Sequence, residues 1–232
     1  MGKGIHKFYW MLIQEFSWVH FYQGIFHVLQ SYGLFLAFLL FSVSQLFDPE
    51  SHPELTVQFY GFLLFGVSLL FASLDQHFLF GDDLQEGYMN WLKVQGQNLR
   101  TYFFVKVFAK YVTQLVPLML MTLLFFFSLS ISFSYMVYFL CLGFSLGIVV
   151  CWGSLLGILF GQSSQRGMSS SYFFGFLLLP LLIPTILVGV ECMKALVMGQ
   201  FCGYYLGMQA GLFMVTLSVS LVLAPFVLNQ VE

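Results

Sequence analysis

Six stretches of this chain are each long and apolar enough to cross a bilayer, and no other feature limits the fold so tightly. A helical span takes about 20 mostly apolar residues. The stretches are Val28–Phe47, Leu55–Leu74, Phe103–Leu129, Ser134–Phe160, Tyr172–Val190 and Tyr204–Leu228. Asp48-Pro49, Asp75, Gly161-Gln162 and Glu191 close four of them. They fill residues 1–232 so completely that one membrane domain is expected and no second folded one. Charge agrees: 8% of the residues are charged, against about 25% in soluble domains. Lipid must solvate most of the surface, and thirty Phe suit that solvent. The expected class is an all-α polytopic membrane protein with six transmembrane helices. Without a basic run, nucleic acid is not an expected partner.

Lys and Arg in short loops set orientation. Lys3, Lys7, Lys93, Arg100, Lys106, Lys110 and Arg166 fall on one side of the six-span pattern, and Lys194 alone on the other. The first loop on that other side carries Asp48, Glu50 and Glu54. Seven against one places both termini in the cytosol. Residues 1–27 hold Glu15, three histidines and several aromatics, with no compact apolar core before a cleavage site, so no cleaved signal is expected. Within them, Ile5, Phe8, Leu12, Ile13, Phe16 and Val19 recur at helical spacing among polar residues. This pattern predicts an amphipathic helix over 5–23 lying in the inner interface. A ragged extension of the first span is the alternative, but Lys7 and Glu15 oppose burying it there.

The longest polar stretch, Asp75–Arg100, is cytosolic in this topology. It contains Gly81-Asp82-Asp83-Leu84-Gln85-Glu86-Gly87. Asp83 followed by Glu86 has capping-box spacing, and acids favour a helix N-terminus. A short helix is therefore predicted to begin near Asp83, with Leu84, Met89, Trp91 and Leu92 as its apolar set. Such a helix either docks on a protein partner or lies on the membrane, and its acidic start favours the partner.

The chemistry is limited by what the chain lacks. No G-x-x-x-x-G-K-[ST] phosphate loop, H-E-x-x-H zinc motif or G-x-S-x-G elbow occurs in it. An enzyme is not expected, and any ATP hydrolysis must come from another subunit. The spans carry no Asp or Glu well inside the bilayer, which disfavours a proton-coupled carrier or an ion channel. His20 and His27 share a helix face, but interfacial histidines usually serve as amphipathic residues; His52 and His77 lie in opposite loops. No metal site is expected. Cys141 and Cys151 fall in an apolar run and read as packing residues, while Cys192 and Cys202 flank one loop and could form a disulfide.

Glycines recur at four-residue spacing: Gly153, Gly157 and Gly161, after Gly143 and Gly147, and then Gly199, Gly203, Gly207 and Gly211. Such rows let helices approach closely in lipid, either within the subunit or at a dimer seam. Pro180 and Pro184 interrupt the fifth span, and Pro225 stands near the end of the sixth. Prolines one turn apart free backbone carbonyls and bend a helix, giving loose packing or a bent wall along a substrate path.

Three of these segments carry a resemblance. LFGDDLQEGYMNWL, Leu79–Leu92, resembles the cytosolic segment of the CcmB family, the haem exporter permeases of cytochrome c maturation. FLLLPLLIPTILVG, Phe176–Gly189, is similar to that family's proline-bearing fifth span, and Leu223-Ala224-Pro225-Phe226 to its closing Leu-small-Pro-Phe. One departure is that Gly87 is followed by Tyr88-Met89-Asn90-Trp91 where the family usually continues Gly-x-Leu-Glu, which implies a divergent partner. The resemblance implies an ABC-2 type permease fold and a homodimer in the bacterial inner membrane, or the mitochondrial one if organellar. It implies a cytosolic ABC ATPase engaged by Asp82, Asp83, Leu84, Glu86, Gly87, Met89 and Leu92. It further implies a haem-handling membrane subunit and a periplasmic haem chaperone, with haem as handled ligand and no covalently bound cofactor. Rival readings are an ABC-2 permease for a lipid or drug, and an assembly factor that transports nothing.

Overall fold

The computed structural model describes residues 25, 32–33, 63, 65–70, 72–73, 79–80, 83, 88–96, 98–128, 135–161 and 169–229. The predicted interfacial helix at 5–23 lies outside them, as does most of the first two predicted spans. Five helices are described: α1 Tyr88–Val94, α2 Leu99–Ser128, α3 Tyr135–Gly161, α4 Ser169–Val197 and α5 Gly203–Asn229. Residues 65–70 are also helical, and no strand occurs among the described residues. Helices α2 to α5 have 27 to 30 residues. At about 1.5 Å per residue they exceed the roughly 30 Å of a hydrocarbon core. Among the described residues, three stretches are both long and apolar enough to span: Leu99–Leu124, Val137–Leu159 and Gly203–Leu228.

The fifth span is expected to close at Glu191, yet α4 continues to Val197. A charge ends the apolar stretch without ending the helix, because at the aqueous end Glu191 and Lys194 face solvent and pair at 2.6 Å. Termination waits for Gly199, whose φ of 65° is the left-handed conformation that glycine tolerates. There Gln200 N–H donates to the Ala195 carbonyl at 2.8 Å and Gly199 N–H to Leu196 at 3.2 Å, a Schellman cap.

Helix α3 is the centre. Within its span 72% of residues are buried in the protein, against 33% for α2 and 22% for α5. It packs most heavily on α5 and α4, then on α2. Its small residues make this approach feasible. A Cβ on Gly147 would collide with the Phe213 ring of α5, and one on Gly143 would come within 3.3 Å of the Tyr111 hydroxyl of α2. Tyr111 donates to the Gly143 carbonyl at 3.2 Å. Gly143 and Gly147 of α3 thus serve packing within the subunit, whereas Gly207 and Gly211 on α5 meet nothing within 4 Å. One polar residue ties three helices together. Buried Gln209 of α5 donates to Ser145 Oγ on α3 and, at 3.5 Å, to the Thr185 carbonyl on α4.

Between α2, α3 and α5 lies a cavity of about 300 Å³, walled by Phe104, Phe108, Tyr111, Phe144, Gly147 and Phe213 among others. Phe213 borders that open space. Phe65 is fully buried and sits against Gly189 of α4, where an added Cβ would strike its ring. Overpacking a filled core costs about 1–3 kcal/mol. Gly189→Ala should therefore lower the melting temperature in detergent clearly. Gly147→Ala should cost about 1 kcal/mol or less, because half-buried Phe213 can turn into the cavity. Equal shifts for both variants would show that the cavity gives no relief.

Candidate coupling site

Helix α1 has seven residues, too few to persist alone in water, where about 12–15 are needed. The turn and helix on its C-terminal side hold it in place. Gly96, at φ 63°, turns the chain, and its N–H donates to the Lys93 carbonyl at 3.0 Å. Asn98 then caps α2: its Oδ1 accepts from Arg100 N–H at 3.0 Å, and its carbonyl accepts from Thr101 and Tyr102 at 3.0 and 3.2 Å. Helix, turn and helix form one unit at the mouth of the predicted third span.

Packing fixes which face of α1 points inward. Leu92 is 0% exposed, while Trp91 is 49% and Val94 87% exposed. This corrects the expectation that Leu92 fills a partner's groove: it belongs to the chain's own core, with Phe103 and Leu99. The outward apolar residues are Trp91 and Val94. Met89 lies on α1, and its side chain is outside the described residues. Asp82, Leu84, Glu86 and Gly87 also lie outside them.

Asp83 has the spacing of a helix cap, and here its carboxylate takes other partners. It accepts from the Lys106 ammonium and the Tyr102 hydroxyl, both on α2. Lys106 Nζ lies 5.4 Å from the centre of Phe80 and 5.7 Å from that of Tyr102. Phe80 in turn stacks on Phe103 at 5.8 Å. The ammonium is held by one carboxylate and two ring faces, with only 11% of the Lys106 side chain and 21% of that of Asp83 exposed. The physical reason is position. Lys106 enters α2 where the apolar run begins, and a cation there needs a counter-ion or a path to water. From the sequence, Lys106 serves only as a marker of orientation. The spacing Tyr102-x-x-x-Lys106 on one helix face, downstream of an acid pair, is the signal that points to more.

The three singled-out prolines all lie within helices. Helix α4 runs unbroken through Pro180 and Pro184, which are exposed beside Ile183 and Leu187. Pro225 is half-buried on α5, and none of the three lines the aromatic cavity. Among the described residues the buried proline is Pro117 on α2, which does not stand out in the sequence.

These features define a helical membrane protein whose cytosol-predicted segment is bound to a spanning helix. The model of one family, described as CcmB protein, matches residues 34–230, and the chain belongs to the CcmB family. No curated protein matches it. Membership implies a role in the haem-export ABC system of cytochrome c maturation, in a family of permease subunits and not of catalytic enzymes.

Proposed function

We propose that this chain is the membrane-embedded permease subunit of that system, driven by a separate cytosolic ATPase through the 75–100 segment. The observation that supports the reading is the joint of α1 to α2. The Asp83–Lys106 pair fastens the segment to a spanning helix and Leu92 is buried in the chain's core, while Trp91 and Val94 face outward. A push on α1 is then transmitted to α2 instead of being absorbed by a loose loop. In this reading both termini are cytosolic, the membrane is the bacterial inner membrane or its mitochondrial counterpart, and partners include a haem-handling membrane subunit and a periplasmic haem chaperone. Asp82, Leu84, Glu86, Gly87 and Met89 extend the ATPase-facing segment. Haem is the handled ligand. Two copies assemble through α5, where Gly207 and Gly211 leave open space amid exposed apolar residues. Pro180 and Pro184 soften α4 by removing the N–H groups that would bond the carbonyls of Phe176 and Pro180.

Affinity purification of the chain from membranes should bring down an ABC ATPase and a haem-containing subunit. Purification without any ATPase would overturn the permease reading. The topology has its own check. An impermeant thiol reagent added outside should label a cysteine placed at Ser51 and leave one at Gln95 unlabelled. The reverse pattern would invert the orientation.

A further inference from the structure

Three of the four cysteines meet: the Cys192 thiol lies within hydrogen-bond reach of those of both Cys141 and Cys202. Cys141 comes from the first turns of α3, Cys192 from the last turns of α4, and Cys202 from the residue just before α5. All three are buried in one cluster, Cys141 and Cys192 completely. All are free thiols. Beyond the Schellman cap at Gly199, the Cys202 Sγ–H donates to the Gln200 carbonyl at 3.2 Å. The turn around it is open, with Met198, Phe201 and Tyr204 strongly exposed. The fourth cysteine, Cys151, is buried two to three turns further along α3, beside the aromatic cavity.

We propose that Cys192 and Cys202 form a reversible dithiol/disulfide site, which when oxidised covalently joins the end of α4 to the start of α5. The oxidant is itself a disulfide, of a protein or a small molecule. Cys202, the sulfur nearest the surface, attacks one sulfur of that disulfide as its thiolate. The external S–S bond breaks and a mixed disulfide forms. The first external sulfur leaves as a thiolate and takes up the proton lost from Cys202. Cys192 then attacks Cys202 Sγ, and the second external thiol departs with the proton lost from Cys192. Two protein thiols are oxidised and one external disulfide is reduced to two thiols. The neighbouring Cys141 thiol, with Cys202 adding, holds the Cys192 thiol below its ordinary value against the opposing effect of burial. The second attack falls to the sulfur better able to carry it out. Under the topology proposed above, the turn at 198–202 faces the outer compartment, where disulfides persist.

The experiment uses the full-length protein in nanodiscs, treated with oxidised glutathione, alkylated with N-ethylmaleimide and digested with trypsin. Cleavage at Lys194 puts the two cysteines on separate peptides, so a link between them is read directly by mass spectrometry. The expected result is a Cys192–Cys202 cross-linked pair, the loss of two alkylatable thiols, and their return with dithiothreitol. Cys202→Ser should abolish the link and Cys151→Ser should leave it intact. Four alkylated thiols after oxidation, or glutathione retained on Cys202 with no internal link, would overturn the proposal. A second arm labels reduced, intact cells with an impermeant maleimide. A link in nanodiscs without labelling of Cys202 from outside would preserve the thiol site and overturn the topology instead.

Discussion

Asp83→Ala should leave the protein in the membrane but unfasten the coupling segment, with cytochrome c maturation falling several-fold or more. The substitution strands the Lys106 ammonium against Phe80 and Tyr102 at the start of a spanning helix. Breaking a buried pair by removing one partner costs about 3–5 kcal/mol. Here the pair is partly exposed, and a lysine at a membrane edge can extend its stem toward water, so about 1–3 kcal/mol is the better scale. That exceeds what a seven-residue helix can lose and still hold its place. Lys106→Met should recover part of the loss when combined with Asp83→Ala, because no charge is then left unpaired. The measurements are protease accessibility of the 88–96 segment in inside-out vesicles and the yield of mature cytochrome c. Additive losses in the double variant would show that the two residues act separately.

The parts of the fold legible from sequence are those that water and lipid distinguish. Hydropathy places the third, fourth and sixth spans at Phe103–Leu129, Ser134–Phe160 and Tyr204–Leu228. The helices run Leu99–Ser128, Tyr135–Gly161 and Gly203–Asn229. The change from polar loop to apolar span is a strong signal. What lipid does not distinguish is harder to read. Helices α3 and α5 are both apolar on every side, yet one is the packed centre and the other is mostly exposed. In water an exposed face would have to be polar, but in a bilayer Leu223 or Phe226 on the outside costs nothing, so hydropathy cannot sort core from lipid face. Small and weakly polar residues discriminate better. Gly143, Ser145, Gly147 and Cys151 let neighbours come close to α3, and all four contact or adjoin residues of another helix.

The coupling site is half legible for a related reason. Its location follows from the one long polar stretch and its acid pair, but not the partners of each residue. A capping-box spacing is a local signal, whereas Asp83 answers to a lysine 23 residues away that the apolar helix cannot leave uncompensated. The same competition decides α1. Trp91 and Leu92 are neighbours of similar apolar character, and adjacent residues on a helix point about 100° apart. Only the burial of Leu92 in the core, against the half-exposed Trp91, shows that Leu92 is the one turned inward.

That difference gives the second large effect expected. Leu92→Ala and Trp91→Ala with Val94→Ala remove apolar bulk from the same helix, yet should fail in different ways. Leu92 is fully buried, and truncating a buried Leu costs about 2–5 kcal/mol through lost burial and the cavity left behind. This variant should loosen α1 from the core, lower the melting temperature and make residues 88–96 protease-sensitive even without a partner. Val94 is strongly exposed and Trp91 half-exposed, and neither belongs to the buried core, so their removal should cost less stability than the loss of Leu92. If they form the anchor of the ATPase contact, truncating them should weaken that contact by about 2 kcal/mol or more, roughly a 30-fold loss of affinity or greater, since buried tryptophans dominate small interfaces. Copurification should then lose the ATPase while the permease keeps its native yield. Normal ATPase recovery from the Trp91→Ala, Val94→Ala variant, with loss only in Leu92→Ala, would mean that α1 matters as a strut of the fold and that the partner binds elsewhere.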